Sequence, residues 1–375
     1  MPDRPESLHP AWSERHGALS IRQRPGPAIS HVTASLRTLK TVKSPAAHRP
    51  FGALRPRRRL LAVLAAVTAV AASLLTPFAP AANADPRVSV TSISPTVSLA
   101  SVYSPSMHRW IRSHVLHPPG APAGLPTFYM LPGAGGAEDG ISWYNNTPIK
   151  RFFATRRVNV VLPIGGRFSM MSDWQRPDPA LGVNKWETFF TRELPAAVNQ
   201  HFRTNGVNAL SGVSMSAGPA LTLAERSGRL FRAVAAYSGC PGATDPLGLA
   251  AATAIPARGG GNVLNMWGPP GSADWVRHDP IINAGRLRGK TIFLSAGSGL
   301  PGPVDGDPLR NGFGLVGGNA MEAIALQCTS AMSRRLNGLG IPHRFIHRPD
   351  GVHTWGLFYA DFRASWPMIA RAIGV

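Results

Sequence analysis

The feature of this sequence that most limits its fold is an alternation of short apolar runs with longer helical segments. Strands that alternate with helices form a mostly parallel sheet with helices on its faces, so we expect an α/β fold with a single domain over residues 85–375. The predicted strands are Thr127–Leu131, Val158–Ile164, Val207–Val213, Phe231–Tyr237, Thr291–Ser295 and His343–His347. The predicted helices are Trp186–Phe202, Met215–Ser227, Gly318–Leu339 and Leu357–Ile373.

Two parts of the chain depart from this alternation. Runs near Val88–Ile93 and Arg109–Leu116 predict an antiparallel pair at one edge of the sheet. The Gly- and Pro-rich stretch between Ser238 and Lys290 predicts a long irregular loop. Because loops of that length are usually functional, we expect a lid or a substrate groove there.

The first 84 residues predict an N-terminal extension that ends in a secretory signal peptide. Arg57, Arg58 and Arg59 precede an apolar run over residues 60–75, and an Ala-x-Ala site ends at Ala84. A run of 16 residues is shorter than the roughly 20 that span a bilayer, so cleavage after Ala84 is favoured over an uncleaved anchor. We therefore expect export to the cell envelope, with membrane contact only through this peptide.

The formal net charge of +20 resembles that of a nucleic-acid-binding protein until it is divided along the chain. Residues 1–84 hold 12 basic and 3 acidic residues, and residues 85–375 hold 27 and 16. In the second part the basic residues are scattered singly, which argues against a nucleic-acid surface. Two interpretations remain, an ordinary solvated surface and attraction to an anionic envelope.

The sharpest local motif is Gly212–Gly218, with the sequence GVSMSAG, between a predicted strand and a predicted helix. A strand, a tight turn and a helix expose a serine hydroxyl above the sheet, as in the G-x-S-x-G nucleophile elbow. The match is partial because Ser216 stands where the pattern has glycine. Ser214 is therefore a candidate nucleophile, and a simple helix cap is the alternative.

A serine nucleophile needs a base, which in this fold follows it in the chain. The later histidines are His278, His343, His347 and His353. His343 and His347 lie on a predicted strand, where a structural role is favoured. His353 lies in a turn-rich loop directly before the last predicted helix. His353 is therefore the candidate base.

The sequence leaves three candidates for the acid. Asp305 and Asp307 follow a predicted strand, and Glu322 begins a predicted helix 31 residues before His353. An acid in a first helical turn is also what the helix dipole alone favours. The residues alone do not distinguish among these three candidate acids.

Acyl chemistry also requires backbone N–H groups that face a developing oxyanion. Met215, after the candidate nucleophile, would supply one. The loop after Thr127–Leu131 reads Pro-Gly-Ala-Gly-Gly over residues 132–136 and permits close backbone approach. We expect Ala134 to supply the second N–H group.

The two cysteines, Cys240 and Cys328, form an even pair in a chain with an export signal. We expect a disulfide that ties the helix of Glu322 to the sheet, and two buried thiols are the alternative. Neither a metal-ligand spacing nor a phosphate-binding loop is present in the sequence, so we expect no cofactor, no metal and no nucleotide.

From about Ser101 onward the chain resembles the antigen 85 mycolyltransferases, particularly their corynebacterial-type branch. Several dispersed motifs in the same order carry the resemblance: residues 104–107 (SPSM), 172–174 (SDW), 185–189 (KWETF), 193–195 (ELP), 212–218 (GVSMSAG), 266–269 (MWGP) and 353–355 (HTW). The resemblance implies an α/β-hydrolase fold with Ser214 as nucleophile, His353 as base and Glu322 as acid.

The family resemblance also implies a function. It implies a secreted serine acyltransferase that moves mycolyl groups between trehalose glycolipids, or onto cell-wall arabinogalactan. Residues near the motifs become candidate substrate contacts: Gly135, Asp173, Trp174, Trp267 and Trp355. Where the mycobacterial enzymes hold trehalose through an Asp and an Arg, this chain has Pro132 and Gly135. The alternatives are a carboxylesterase of the same fold and a non-catalytic wall- or fibronectin-binding protein.

Overall fold

The computed structural model describes residues 87–306 and 317–375. Its strands form one nine-stranded sheet in the order β1-β2-β3-β5-β4-β6-β7-β8-β9. The strands are β1 Val88–Ser94, β2 Val97–Ser104, β3 Arg109–Leu116, β4 Thr127–Met130, β5 Asn159–Ile164, β6 Asn208–Val213, β7 Phe231–Tyr237, β8 Thr291–Ala296 and β9 Arg344–His347. The predicted signal peptide and Asp307 lie outside the described residues.

The pairing of the strands confirms the predicted α/β architecture. Strands β4 to β9 run parallel, and β3 joins β5 antiparallel. The edge prediction was incomplete, because β2, which was not predicted, lies between β1 and β3 and pairs antiparallel with both. Serine and alanine occupy half of β2, so its apolar alternation is weak in the sequence.

Helices cover both faces of the sheet. A helical stretch begins at Trp186–Thr188, passes through a π-helical turn, Phe189–Glu193, and continues as Leu194–Phe202. The other α-helices in the described ranges are Trp143–Asn146, Ile149–Phe153, Ala217–Arg226, Pro246–Arg258, Val263–Trp267, Ala273–Arg277, Pro280–Asn283, Gly318–Gly338 and Trp355–Ile373. Within those ranges, no helix is both long and apolar enough to cross a membrane.

Two hydrophobic cores lie on opposite faces of the sheet. One contains Trp186 and Leu221 from the helices and Val234 from β7. The other contains Phe128 from β4 with Phe362 and Trp366 from the last helix. Because strands of a parallel sheet are buried on both faces, every residue of β4 and of β6 is buried.

The stretch 238–290 is not the irregular loop that its composition predicted. It holds one α-helix of 13 residues and three short ones, and three of the four begin at a side-chain cap from Asp245, Asn262 or Asp279. Asp followed by Pro at two of these starts is a standard helix-initiation signal, because the carboxylate caps the turn and the proline fits its first position. The capped starts therefore allow short helices to form in a stretch whose glycine content alone predicts a loop.

Candidate active site

Ser214 lies in a tight turn directly after β6. Its φ is 56°, a left-handed value that a residue with a side chain adopts only at a cost of about 1–2 kcal/mol. A short 3-10 turn, Ser214–Ser216, then leads into the helix Ala217–Arg226. The strand, turn and helix therefore have the form of a nucleophile elbow.

The turn is closed by the residue that departs from the usual motif. The Ser216 hydroxyl accepts a hydrogen bond from Val213 N at 2.9 Å and donates to Val213 O at 3.1 Å. A Cβ on Gly212 would lie 2.0 Å from Ser216 O, so glycine is required there by space. A serine at the fifth position thus completes the elbow rather than disturbing it.

His353 contacts both of the other residues that the family resemblance selected. Its Nε2 lies 2.8 Å from Ser214 Oγ, and its Nδ1 lies 2.7 Å from Glu322 Oε2. Because a carboxylate only accepts hydrogen bonds, Nδ1 carries the proton and Nε2 is left to accept from the serine. The arrangement is that of a nucleophile, a base and an orienting acid.

Glu322 is completely buried and both of its oxygens are hydrogen bonded. Its second oxygen, Oε1, accepts from Gly297 N at 2.7 Å, directly after β8. The backbone of the sheet therefore orients the carboxylate, and the carboxylate orients His353.

Asp305, the alternative acid, lies close to the loop that contains His353 but does not contact the histidine ring in the way that Glu322 does. Its Oδ1 accepts from Val352 N at 2.9 Å and from Thr354 Oγ1 at 2.8 Å. These two residues flank His353. Asp305 therefore fixes the loop of the histidine, while Glu322 contacts the ring itself.

The predicted disulfide is confirmed. Cys240 and Cys328 are bonded, with Cα atoms 4.8 Å apart and a sequence separation of 88. Thr329 Oγ1 also donates to Gly239 O at 3.0 Å. A Cβ on Gly239 would lie 2.4 Å from Ser214 O, so this junction ties the helix of Glu322 to the elbow.

The loop predicted to form the oxyanion hole lies beside the serine. A Cβ on Gly133 would stand 3.8 Å from Ser214 Cβ. The loop is held by Phe168 N, which donates to Ala134 O at 2.8 Å, and by Gly165 N, which donates to Gly136 O at 2.7 Å. This position suits the roles predicted for the N–H groups of Ala134 and Met215, which stay predictions.

The candidate substrate residues have other contacts in the structure. Trp174 and Trp267 are 1% and 2% exposed, and their indole N–H groups donate to Ser169 O and Ser172 Oγ. The Asp173 carboxylate accepts from the N–H and the hydroxyl of Thr188, at the start of a helix.

The other two candidates lie nearer the surface. Trp355 is partly exposed and packs edge-on against Trp143 at 5.2 Å between ring centroids. At Gly135 a Cβ would lie 1.9 Å from Asp139 Oδ2, so that carboxylate fills the space a side chain would need. Substrate contact by these five residues stays a prediction, and packing accounts for the two buried tryptophans.

A second histidine–glutamate contact lies at the far end of the elbow helix. His278 Nε2 is 3.3 Å from Glu187 Oε2, and Arg226 Nε is 2.6 Å from Glu187 Oε1. Burial opposes ionisation of Glu187, but His278 and Arg226 outweigh it and lower its pKa. These groups line an open polar cavity of about 510 Å³. No motif in the sequence indicates this cluster, because its members are 39 to 91 residues apart in the chain.

Together the parallel sheet, the elbow and the serine–histidine–glutamate contacts define an α/β hydrolase-fold protein. The family described as "Putative esterase" matches residues 104–368. The mycolyltransferase Ag85A of Mycobacterium tuberculosis is 32% identical over 74% of this chain and 82% of its own length. Ag85C of Mycobacterium avium is 31% identical over 87% of this chain and 90% of its own length. The chain belongs to this esterase family and, within it, to the antigen 85 diacylglycerol acyltransferases/mycolyltransferases.

Solved structures support the fold. Mycobacterium tuberculosis MPT51 (FbpC1) superposes with a TM-score of 0.61 at 24% identity, over 72% of this chain and 96% of that chain. An S-formylglutathione hydrolase from Agrobacterium tumefaciens superposes with a TM-score of 0.53 at 15% identity, over 77% of this chain and 100% of that chain. At these identities the likeness shows a shared fold and nothing about substrates.

Proposed function

We propose that this protein is an exported mycolyltransferase that works through an acyl-enzyme at Ser214. The observation that carries the proposal is that one imidazole, His353, contacts the elbow serine and a buried glutamate together. Membership of the antigen 85 family supports the acyl group, because relatives over most of the chain are named mycolyltransferases. Trehalose monomycolate is the proposed donor.

The first half of the reaction forms the acyl-enzyme. Ser214 Oγ attacks the ester carbonyl carbon while His353 Nε2 takes the hydroxyl proton. Glu322 stabilises the imidazolium that results, and the N–H groups of Ala134 and Met215 receive the oxyanion. The intermediate then collapses, and His353 returns the proton to the trehalose oxygen as the ester bond breaks.

The second half transfers the acyl group. A hydroxyl of a second trehalose glycolipid, or of wall arabinogalactan, gives its proton to His353 and attacks the acyl carbonyl. Collapse of the second intermediate returns the proton to Ser214 and releases the new ester. Transfer instead of hydrolysis requires that the acceptor be held near Ser214 and that water be kept out.

The test is incubation with trehalose monomycolate, followed by mass spectrometry of the protein and of the lipids. We expect a mycolyl adduct on Ser214 and trehalose dimycolate as product. Free mycolic acid as the sole product would identify a carboxylesterase of the same fold. An adduct on another residue would refute the assignment of Ser214.

The matched variant is Ser214→Ala. Transfer should fall by several orders of magnitude, because the nucleophile is lost while the fold is kept. If transfer is absent from the wild type and binding to wall glycolipid or fibronectin is equal in both proteins, the non-catalytic alternative is correct.

A further inference from the structure

The face of β1 to β3 that points away from the first core presents aromatic rings and cations together. Along these strands Val102 and Ile111 point into that core, so Tyr103, Trp110 and Arg112 point the other way. Trp110 is 49% exposed, and Arg112 is also exposed. We name this surface the basic aromatic face, formed by Arg87, Tyr103, Trp110, Arg112, Tyr144 and Lys150.

The cations of this face lie against its rings. The Arg87 guanidinium carbon is 3.9 Å from the Tyr103 ring centroid and 5.9 Å from that of Trp110. Lys150 Nζ is 4.2 Å from the Tyr144 centroid. Tyr144 in turn stacks on His114 at 3.8 Å. Cation–π contacts of this kind hold positive charge at a surface without a neutralising acid.

Acidic residues are scarce in this part of the chain. Residues 86–172 contain eight Lys or Arg and two carboxylates, Glu138 and Asp139. Both carboxylates follow β4, where Glu138 pairs with Arg167 at 3.8 Å. Burial first, and then Lys150 and Arg112, lower the pKa of His114, so the positive field extends across the strands. This part of the chain therefore carries a net positive charge, of which Arg87, Arg112 and Lys150 contribute to the basic aromatic face.

The basic aromatic face reaches the edge of the sheet that carries the active site. Arg112 pairs with Ile164, the last residue of β5, so Trp110 lies beyond the carboxyl end of that strand. Ser214 follows the carboxyl end of β6. Three strand spacings separate β3 from β6, which places the two features roughly 15 Å apart along one edge.

We propose that the basic aromatic face docks the protein on an anionic lipid surface. Charge complementarity selects the occupant, and exposed Trp and Tyr beside Arg and Lys are the residues that favour a membrane–water interface. The sequence predicted membrane contact only through the signal peptide, so this is a second and lasting contact. The proposal extends the proposed function, because docking would hold the active-site edge beside a lipid-borne donor.

The test measures binding without catalysis, so it does not depend on the proposed function. The purified protein, lacking residues 1–84, is sedimented with vesicles of phosphatidylcholine, alone or mixed with phosphatidylglycerol. We expect binding only to the mixed vesicles and weaker binding at higher salt. The triple variant R87Q/R112Q/K150Q should bind on the order of a hundredfold more weakly, at roughly fivefold per cation.

A matched triple variant, R229Q/R258Q/R334Q, removes the same charge from exposed arginines elsewhere on the described surface. It should keep nearly all of the binding. Equal losses in the two triple variants, or equal binding to both kinds of vesicle, would overturn the proposal. Thermal unfolding of each protein checks that the fold is intact.

Trp110→Ser separates a lipid from a soluble anionic polymer. This variant keeps the charge of the face and removes its exposed ring, so vesicle binding should fall about tenfold while binding to polyglutamate should not change. If polyglutamate binds through the same three cations and mixed vesicles do not bind, the partner is a polymer and the lipid proposal is wrong.

Discussion

A histidine contacts a glutamate near each end of the helix Ala217–Arg226, but the two contacts have different further partners. At the first end His353 joins Glu322 to Ser214 Oγ. At the other end His278 joins Glu187 to the carbonyl oxygen of Asp274, 2.8 Å from Nδ1. A histidine–carboxylate contact is thus shared by both ends. What differs is the partner of the second nitrogen, a hydroxyl that can become a nucleophile or a carbonyl that cannot.

The two glutamates also differ in burial and in their hydrogen-bond partners. Glu322 is fully buried, with both oxygens satisfied by fixed donors. Glu187 borders an open cavity and pairs with Arg226 in the last turn of the helix, where a cation complements the helix dipole. We infer that the first end is organised for chemistry and the second for holding the helix in place.

The largest contrast is expected between the two histidines. His353→Gln should lower kcat for transfer by roughly 10⁵-fold, because the base that activates the serine is lost. His278→Gln should change kcat less than about tenfold, since His278 touches no reacting group. Steady-state kinetics with trehalose monomycolate measures both. Comparable losses would mean that the far end takes part in the reaction.

Substitution of the two glutamates should also lower kcat unequally, with a smaller difference than between the two histidines. Glu322→Gln should lower kcat by about 10³- to 10⁴-fold, because the amide neither fixes the His353 tautomer nor stabilises the imidazolium. Glu187→Gln should lower it less than about tenfold, since no reacting group depends on it. Asp305→Asn is the useful third variant, because it disturbs the histidine loop without touching the ring. A larger kcat loss in Asp305→Asn than in Glu322→Gln would reverse the roles of the two acids.

Glu225, at the far end of the same helix, should be a source of instability. It is 6% exposed, neither oxygen has a hydrogen-bond partner among the residues that the structure describes, and burial raises its pKa to about 9. At pH 7 the folded protein keeps the proton that the unfolded chain releases near pH 4.5, which costs stability on the order of 1–3 kcal/mol. Glu225→Gln should therefore raise the free energy of unfolding at pH 7, and the gain should vanish near pH 4.5. Urea denaturation at the two pH values measures it, and a loss at pH 7 would contradict it.

Glu187 should show the opposite pH dependence with a smaller effect. Its pKa is lowered in the folded state, so its charge stabilises the protein above pH 4.5, and this contribution disappears as pH falls through the lowered value. Glu187→Gln should cost about 1 kcal/mol at pH 7 and nearly nothing at pH 3. The difference in urea midpoint between wild type and variant measures the change. A constant difference would assign the effect to packing.

The parallel strands and long helices were predictable because each has a strong period or a continuous apolar run. Strand β2 was missed because Ser98, Ala100, Ser101 and Ser104 weaken its alternation. The helices of stretch 238–290 have no clear apolar period because glycine and proline interrupt it, and only the Asp-Pro caps at Asp245 and Asp279 mark two of their starts.

Ser214 and His353 could be proposed from local sequence, because the elbow and the turn-rich loop have signatures of their own. The acid could not be separated by residue reasoning, since its contact with His353 depends on how the helix Gly318–Gly338 packs beside β8. The resemblance to a family selected Glu322. Nothing in the sequence indicated that Gly297 N would hold its second oxygen.

The hydroxyl of Ser216 has a consequence for how relatives of this chain are recognised. A search pattern that requires glycine two places after the nucleophile would reject this chain, although its turn is completely formed. The physical requirement at that place is a small residue that does not press on the strand, and a side chain that bonds back to the main chain meets it equally well. Patterns widened to admit serine there would gather sequences that a strict rule leaves unclassified.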